Sequence, residues 1–72
     1  MRKVFKLNNL DCANCAAKME RAINKIDGVE KATMSFMTQK LVLVADESKM
    51  DTIVDEAVAL CKKIEPDMTI LR

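Results

Sequence analysis

The sequence predicts an α+β sandwich in which two helices pack on one face of a four-stranded antiparallel sheet. Stretches of alternating apolar residues and stretches with apolar residues at helical spacing succeed one another in the order β-α-β-β-α-β. Caps, turns or breakers separate them. Size agrees: the 72 residues are 50% hydrophobic, with two Phe and no Trp or Tyr, enough for one small aliphatic core.

Arg2 to Leu7 reads as the first strand, with Phe5 and Leu7 on one face. A turn at Asn8-Asn9 leads into a loop holding Asp11 and Cys12. From Ala13 to Ile26 the residues Ala16, Met19, Ala22, Ile23 and Ile26 keep helical spacing, while Lys18, Glu20, Arg21, Asn24 and Lys25 fall on the other face. Asp27-Gly28 supplies the stop. Val29 to Phe36 alternates through Ala32, Met34 and Phe36 as a second strand. Met37-Thr38-Gln39 turns into a third, Lys40 to Val44 or Ala45. Ser48 reads as an N-cap with Asp51 three residues on. Met50, Ile53, Val54, Ala57, Leu60, Cys61 and Ile64 then form a second apolar stripe. Pro66 blocks its continuation, and Met68 to Leu71 makes a short last strand. This is the split βαβ or ferredoxin-like order, in one domain over residues 1–72 with no repeat or linker.

Composition removes several classes of function. A formal charge of +1 gives no reason to invoke nucleic acid or an acidic membrane surface. Three cysteines are an odd number, which argues against a closed disulfide framework. With no His, the commonest neutral metal ligand and the usual general base are both missing. The longest apolar run, Leu41 to Ala45, is far too short to span a bilayer, and no signal peptide opens the chain. The expectation is a soluble monomer in a reducing cytoplasm, either a whole protein or a domain excised from a membrane protein.

The chemistry concentrates in Leu10-Asp11-Cys12-Ala13-Asn14-Cys15. Two thiolates at this spacing, on a loop turning into a helix, grip one soft metal ion from the same side, and Asp11 adds a harder oxygen. That set suits a divalent ion such as zinc better than Cu(I). The bland reading is packing, because Cys15 extends the apolar stripe and cysteine behaves as a small hydrophobe. Against it, Cys12 sits in a polar loop and Cys15 at a helix start, where unpaired N–H groups favour a thiolate. Position alone leaves Asp11 equally suited to capping the helix and to binding metal.

Cys61, in the middle of the second stripe, reads as a buried core thiol, with a third metal thiolate as the alternative. Met19, Met34 and Met50 fall on core faces, so gap filling explains them better than a thioether copper cluster. The chain order brings three connections to one edge of the sandwich: the cysteine loop, the hairpin at Met37 to Gln39 and the turn at Lys63 to Asp67. Met37 is therefore a candidate neighbour of the site. Glu65 and Asp67 are candidate outer acids or simply solvated loop charges.

The string Asn9-Leu10-Asp11-Cys12-Ala13-Asn14-Cys15-Ala16-Ala17-Lys18, with Asp27-Gly28-Val29 and Lys63-Ile64-Glu65-Pro66-Asp67, resembles a heavy-metal-associated domain over nearly the whole chain. Such domains occur as cytosolic metallochaperones and as amino-terminal modules of heavy-metal-transporting P-type ATPases. The family typically carries Gly-Met-x-Cys-x-x-Cys; here Asn9 stands at the Gly and Leu10 at the Met, which implies that Leu10 packs beneath the loop. Copper members commonly have Thr or His before the first cysteine. An Asp there resembles the modules of zinc-, cadmium- and lead-exporting ATPases and implies that Asp11 is a ligand beside Cys12 and Cys15.

Charge balance agrees with that implication. Two thiolates already take a monovalent ion to −1, whereas three anionic ligands take a divalent ion to the same −1. Zn–S of about 2.3 Å and Zn–O of about 2.0–2.2 Å fit one turn of chain. The expected function is a non-enzymatic module that holds Zn(II), or Cd(II) or Pb(II), with Cu(I) less suited. It presents the ion to, or regulates, a metal-exporting ATPase through that transporter's membrane part or its other soluble domains. The fourth position is left to water, to an acid such as Glu65, or to a partner.

Three alternatives stand beside this. A stand-alone metallochaperone, including one for Cu(I), differs only in context. A thiol-disulfide oxidoreductase is disfavoured, because a thioredoxin-like fold needs more chain and the loop lacks the usual Pro or aromatic residues. A metal-free interaction module leaves the cysteine spacing unexplained.

Overall fold

Alternation along each strand decides which side of the sheet is buried, and in the computed structural model, which describes residues 1–71, the elements follow the predicted order. They are β1 (Arg2–Asn8), α1 (Ala13–Asn24), β2 (Val29–Ser35), β3 (Lys40–Ala45), α2 (Met50–Ile64) and β4 (Thr69–Leu71). The strands form one sheet in the order β2-β3-β1-β4, with every neighbouring pair antiparallel. Register is set by pairs such as Phe5 with Leu41, Leu7 with Ile70 and Met34 with Leu41. Leu7, Ala32, Met34, Leu41, Leu43 and Ile70 lie on the buried face. There they join Ala16, Met19 and Ile23 of α1 with Ile53, Val54, Ala57 and Cys61 of α2 in a single cluster. Met19, Ile23 and Leu43 are fully buried, so this cluster supplies the main hydrophobic term of folding.

β2 is an edge strand, and α1 covers its open side. The Asn24 side chain donates to the Ala32 carbonyl and accepts from the Ala32 N–H, both at 2.9 Å. One turn earlier, Glu20 Oε2 accepts from the Met34 N–H at 2.8 Å. Two helical side chains four residues apart thus stand in for the missing fifth strand and remove a template for edge-to-edge pairing. On sequence these two residues read as the solvent face of the helix; the structure gives them the strand edge instead.

Several element boundaries differ from expectation. α1 ends at Asn24 rather than Ile26, because the Ile26 N–H bonds the Ile23 carbonyl at 3.1 Å in a tighter closing turn. Ile26 still packs against the core. Gly28 completes that turn at φ 95, where a Cβ would meet Lys49 Cδ at 3.1 Å and Ile53 Cδ1 at 3.2 Å. Ser48 does not cap α2. It lies in a 3₁₀ turn, Glu47–Lys49, capped by Asp46, whose Oδ1 accepts from the Ser48 N–H at 3.1 Å, and α2 follows without a side-chain cap. β2 stops at Ser35, so Phe36 belongs to the hairpin, and Met68 is buried just before β4.

Candidate metal centre

The loop between β1 and α1 is fixed from both ends. Asn9 turns the chain with φ 64, a left-handed conformation that Asn tolerates better than most residues. Its side chain donates to the Asp67 carbonyl at 3.4 Å, which ties the loop to the turn before β4. Leu10 then drops into the core at 3% exposure, the place its resemblance to the family's Met implies. The Leu10 N–H donates to Gln39 Oε1 at 3.0 Å, and Gln39 Nε2 donates back to the Leu10 carbonyl and to the Phe36 carbonyl. The three expected connections therefore do meet at one edge. Sequence reading does not single out Gln39, since a glutamine in a turn looks solvated and its partner lies 29 residues away.

Cys12, in extended conformation at φ −130 and ψ 112, is the N-cap of α1, and its Sγ accepts from the Cys15 N–H at 3.2 Å. The capping role open to Asp11 on sequence grounds thus belongs to its neighbour. Asp11 is exposed and one residue outside the helix. The Cys12 carbonyl accepts from Ala16 N–H at 3.0 Å, the first turn of the helix. Both thiols are half-buried and neither is in a disulfide.

The two sulfurs differ in acidity. Hydrogen bonds from the Cys15 side chain, then from the Cys15 backbone, hold the Cys12 thiol below its ordinary range. Donating to Cys12 pushes Cys15 up to about 11, helped by desolvation and by the negative charges of Cys12 and Glu65. The thiolate expected at the helix start therefore forms first at Cys12, the residue that receives the helical N–H, and not at Cys15. Glu65 approaches from the far turn, its Oε2 lying 3.9 Å from the Cys15 Sγ. Its other oxygen accepts from the Asp67 N–H at 3.4 Å.

Cys12 and Cys15 thus share the head of α1, with Glu65 facing Cys15 and Asp11 next to Cys12 in the chain. Among the described residues no three His, Cys, Asp or Glu side chains are already gathered closely enough to hold an ion. Cys61 stands apart, 1% exposed within the core, and burial alone pushes its thiol up to about 11. Met19, Met34 and Met50 are buried, as gap filling requires. Met37 projects from the hairpin at 88% exposure. Chemically the edge offers two soft sulfur donors, one primed for ionisation, with anionic oxygens from the loop and from the opposite turn. No helix among the described residues is long and apolar enough to cross a membrane.

Comparison with known proteins places this site in context. A family model described as the heavy-metal-associated domain matches residues 4–66. The chain is 38% identical over 66 residues to a cadmium, zinc and cobalt-transporting ATPase of Helicobacter pylori, an alignment covering 92% of this chain and 9% of the transporter. It is 28% identical over 64 residues to the copper chaperone CopZ of Enterococcus hirae, covering 89% of this chain and 86% of CopZ. In three dimensions it superposes on a solved CopZ metallochaperone with a TM-score of 0.76 at 20% identity, over 99% of this chain and 100% of the other. At that identity the superposition speaks for the fold alone. With the family model covering most of the sequence and the paired cysteines at the start of α1, the chain belongs to the heavy-metal-associated domain family.

Proposed function

We propose that the chain is a non-catalytic cytoplasmic module that holds one soft divalent ion, Zn(II) or its larger relatives Cd(II) and Pb(II), through Cys12, Cys15 and Asp11. In this reading it presents the ion to, or uses it to regulate, a heavy-metal-exporting P-type ATPase. The observation that carries the reading is the half-buried Cys12–Cys15 pair at the head of α1, faced by the Glu65 carboxylate and preceded in the chain by the exposed Asp11. Sulfur donors with extra anionic oxygen favour a divalent over a monovalent ion, for the charge-balance reason given above. Asp11 has no capping duty to hold it and is exposed, so its carboxylate is available to turn onto the ion. The position of Glu65 makes it a candidate for the fourth place, shared with water or a partner's donor. Such an incompletely closed shell suits transfer, because an incoming thiolate joins before an outgoing one leaves. The likeness to the Helicobacter pylori transporter supports the choice of partner.

One zinc per chain is expected in an equilibrium titration with a competing chelator, with protons released as the thiols ionise. The double substitution Cys12→Ser with Cys15→Ser should abolish that binding. Zinc held as tightly by the double variant would move the site elsewhere. A second reading, a stand-alone Cu(I) chaperone, draws on the alignment with CopZ over 86% of that protein's length. Asp11 separates the two.

A further inference from the structure

We propose that Gln39 is the positioning residue of the metal loop: its side-chain amide clamps the backbone of Leu10 and so fixes where Asp11 and Cys12 stand beside Cys15. The inference rests on the metal-binding reading of the two cysteines. One amide group serves both backbone groups of one residue, accepting from the Leu10 N–H at 3.0 Å and donating to the Leu10 carbonyl. An amide answers both because it carries acceptor and donor on one plane. Gln39 is itself held in place, since its carbonyl accepts from the Leu7 N–H at 2.8 Å and its Nε2 also donates to the Phe36 carbonyl at 2.9 Å.

The clamp acts on a short span. Leu10 is fixed by its buried side chain and by Gln39; Cys12 is fixed as the cap of α1. Asp11 is the single residue between these anchors, so its backbone has little room to wander. Cys15 lies on the helix and needs no such help. A loop already in place when the ion arrives loses little conformational freedom on binding. Partners that orient metal ligands from outside the coordination shell typically matter 10–100-fold in affinity. Gln39 occupies that role here through the backbone rather than through a ligand side chain.

Its left-handed backbone, φ 56, supplies a clean test. Gln39→Gly removes the amide while placing at this φ the residue that adopts it most readily, so relief of the backbone offsets the lost bonds. In the full chain, Gln39→Gly is expected to melt within a few degrees of wild type (about the shift of 1 kcal/mol or less). It should weaken zinc at least ~10-fold in a chelator competition and exchange the Leu10 amide hydrogen at least ~10-fold faster by NMR. Adding Asp11→Ala should then cost less zinc affinity than it does in the wild-type background, because an unclamped Asp11 contributes less. A purely structural role for Gln39 would not produce that coupling.

Zinc affinity within twofold of wild type in Gln39→Gly overturns the proposal. Should that variant unfold, Gln39→Glu takes its place; it keeps the acceptor for Leu10 N–H but has no donor for the two carbonyls, and the same losses are expected. If the wild-type chain binds no zinc, the metal reading fails by itself. The clamp is then judged on Leu10 exchange, and unchanged exchange in the variant overturns it.

Discussion

Cys12 and Cys15 are the same residue type three positions apart, yet the fold makes one an acceptor and the other a donor. Cys12 receives the helical N–H and the Cys15 thiol, so its thiolate is the more stable of the two. Cys15, facing Cys12 and Glu65, keeps its proton up to about 11. A short pulse of iodoacetamide near neutral pH should therefore label Cys12 first, with Cys15 and Cys61 lagging, as read by peptide mass spectrometry. The same difference sets the pH dependence of metal binding. In the proposed reading, zinc binding between the lowered pKa of Cys12 and the value of about 11 at Cys15 displaces one thiol proton. Affinity should then rise about tenfold per pH unit, and more steeply below the Cys12 pKa, where two protons must leave. Protons compete, so binding weakens as pH falls; a flat profile, or Cys15 labelled ahead of Cys12, contradicts this account.

At this scale the sequence was legible in chemistry more than in assignment. The pair, its loop and its position before an amphipathic stretch mark a thiol site without a structure. Which residue caps the helix is not a matter of residue preference, since Asp is the better cap in general. Here Cys12 caps, one residue beyond Asp11, and the loop before it is held at Leu10 by a glutamine of the β2–β3 hairpin.

At the scale of elements, helical and strand periods are legible because each element buries a single face, and the boundaries differ from expectation by one or two residues at most positions. What periodicity conceals is the duty of polar residues. Glu20 and Asn24 satisfy any pattern for a solvated helix face, but they bond the free edge of β2. Asn24→Ala should lower stability by about 1–2 kcal/mol in a urea melt, since it leaves the Ala32 N–H and carbonyl to find new partners. It should also raise self-association, seen as concentration-dependent light scattering, because the edge becomes a template for another strand. Loss below about 0.5 kcal/mol with no association would show that water replaces the side chain at no cost.

At the scale of the whole molecule, the site lies at one end of the core, with Cys15 packed against it. The aliphatic cluster lies between sheet and helices, with Cys61 within it, while Cys12 and Cys15 occupy one end. Chain order alone brings that end together: Asn9 reaches Asp67, Leu10 meets Gln39, and Cys15 meets Glu65. The convergence could be foreseen from β-α-β-β-α-β connectivity; the individual bonds could not, because they join residues 29 to 58 positions apart. The net charge of +1 gives no long-range steering toward a cation, so choice of metal must come from the donors themselves.

In the proposed reading, Asp11 is the donor on which that choice turns. The decisive measurement compares Zn(II) and Cu(I) affinities of wild type and Asp11→Ala, by competition with chelators specific for each ion, alongside the melting temperature of the metal-free proteins. Loss of a direct ligand should weaken Zn(II) at least ~10-fold, the lower end of what even an indirect partner contributes. Cu(I), satisfied by two thiolates, should change far less, and the metal-free melt should not move, because Cys12 is the cap. Equal losses for both ions, or zinc affinity unchanged, would contradict the divalent reading and return the chain to the copper-chaperone alternative.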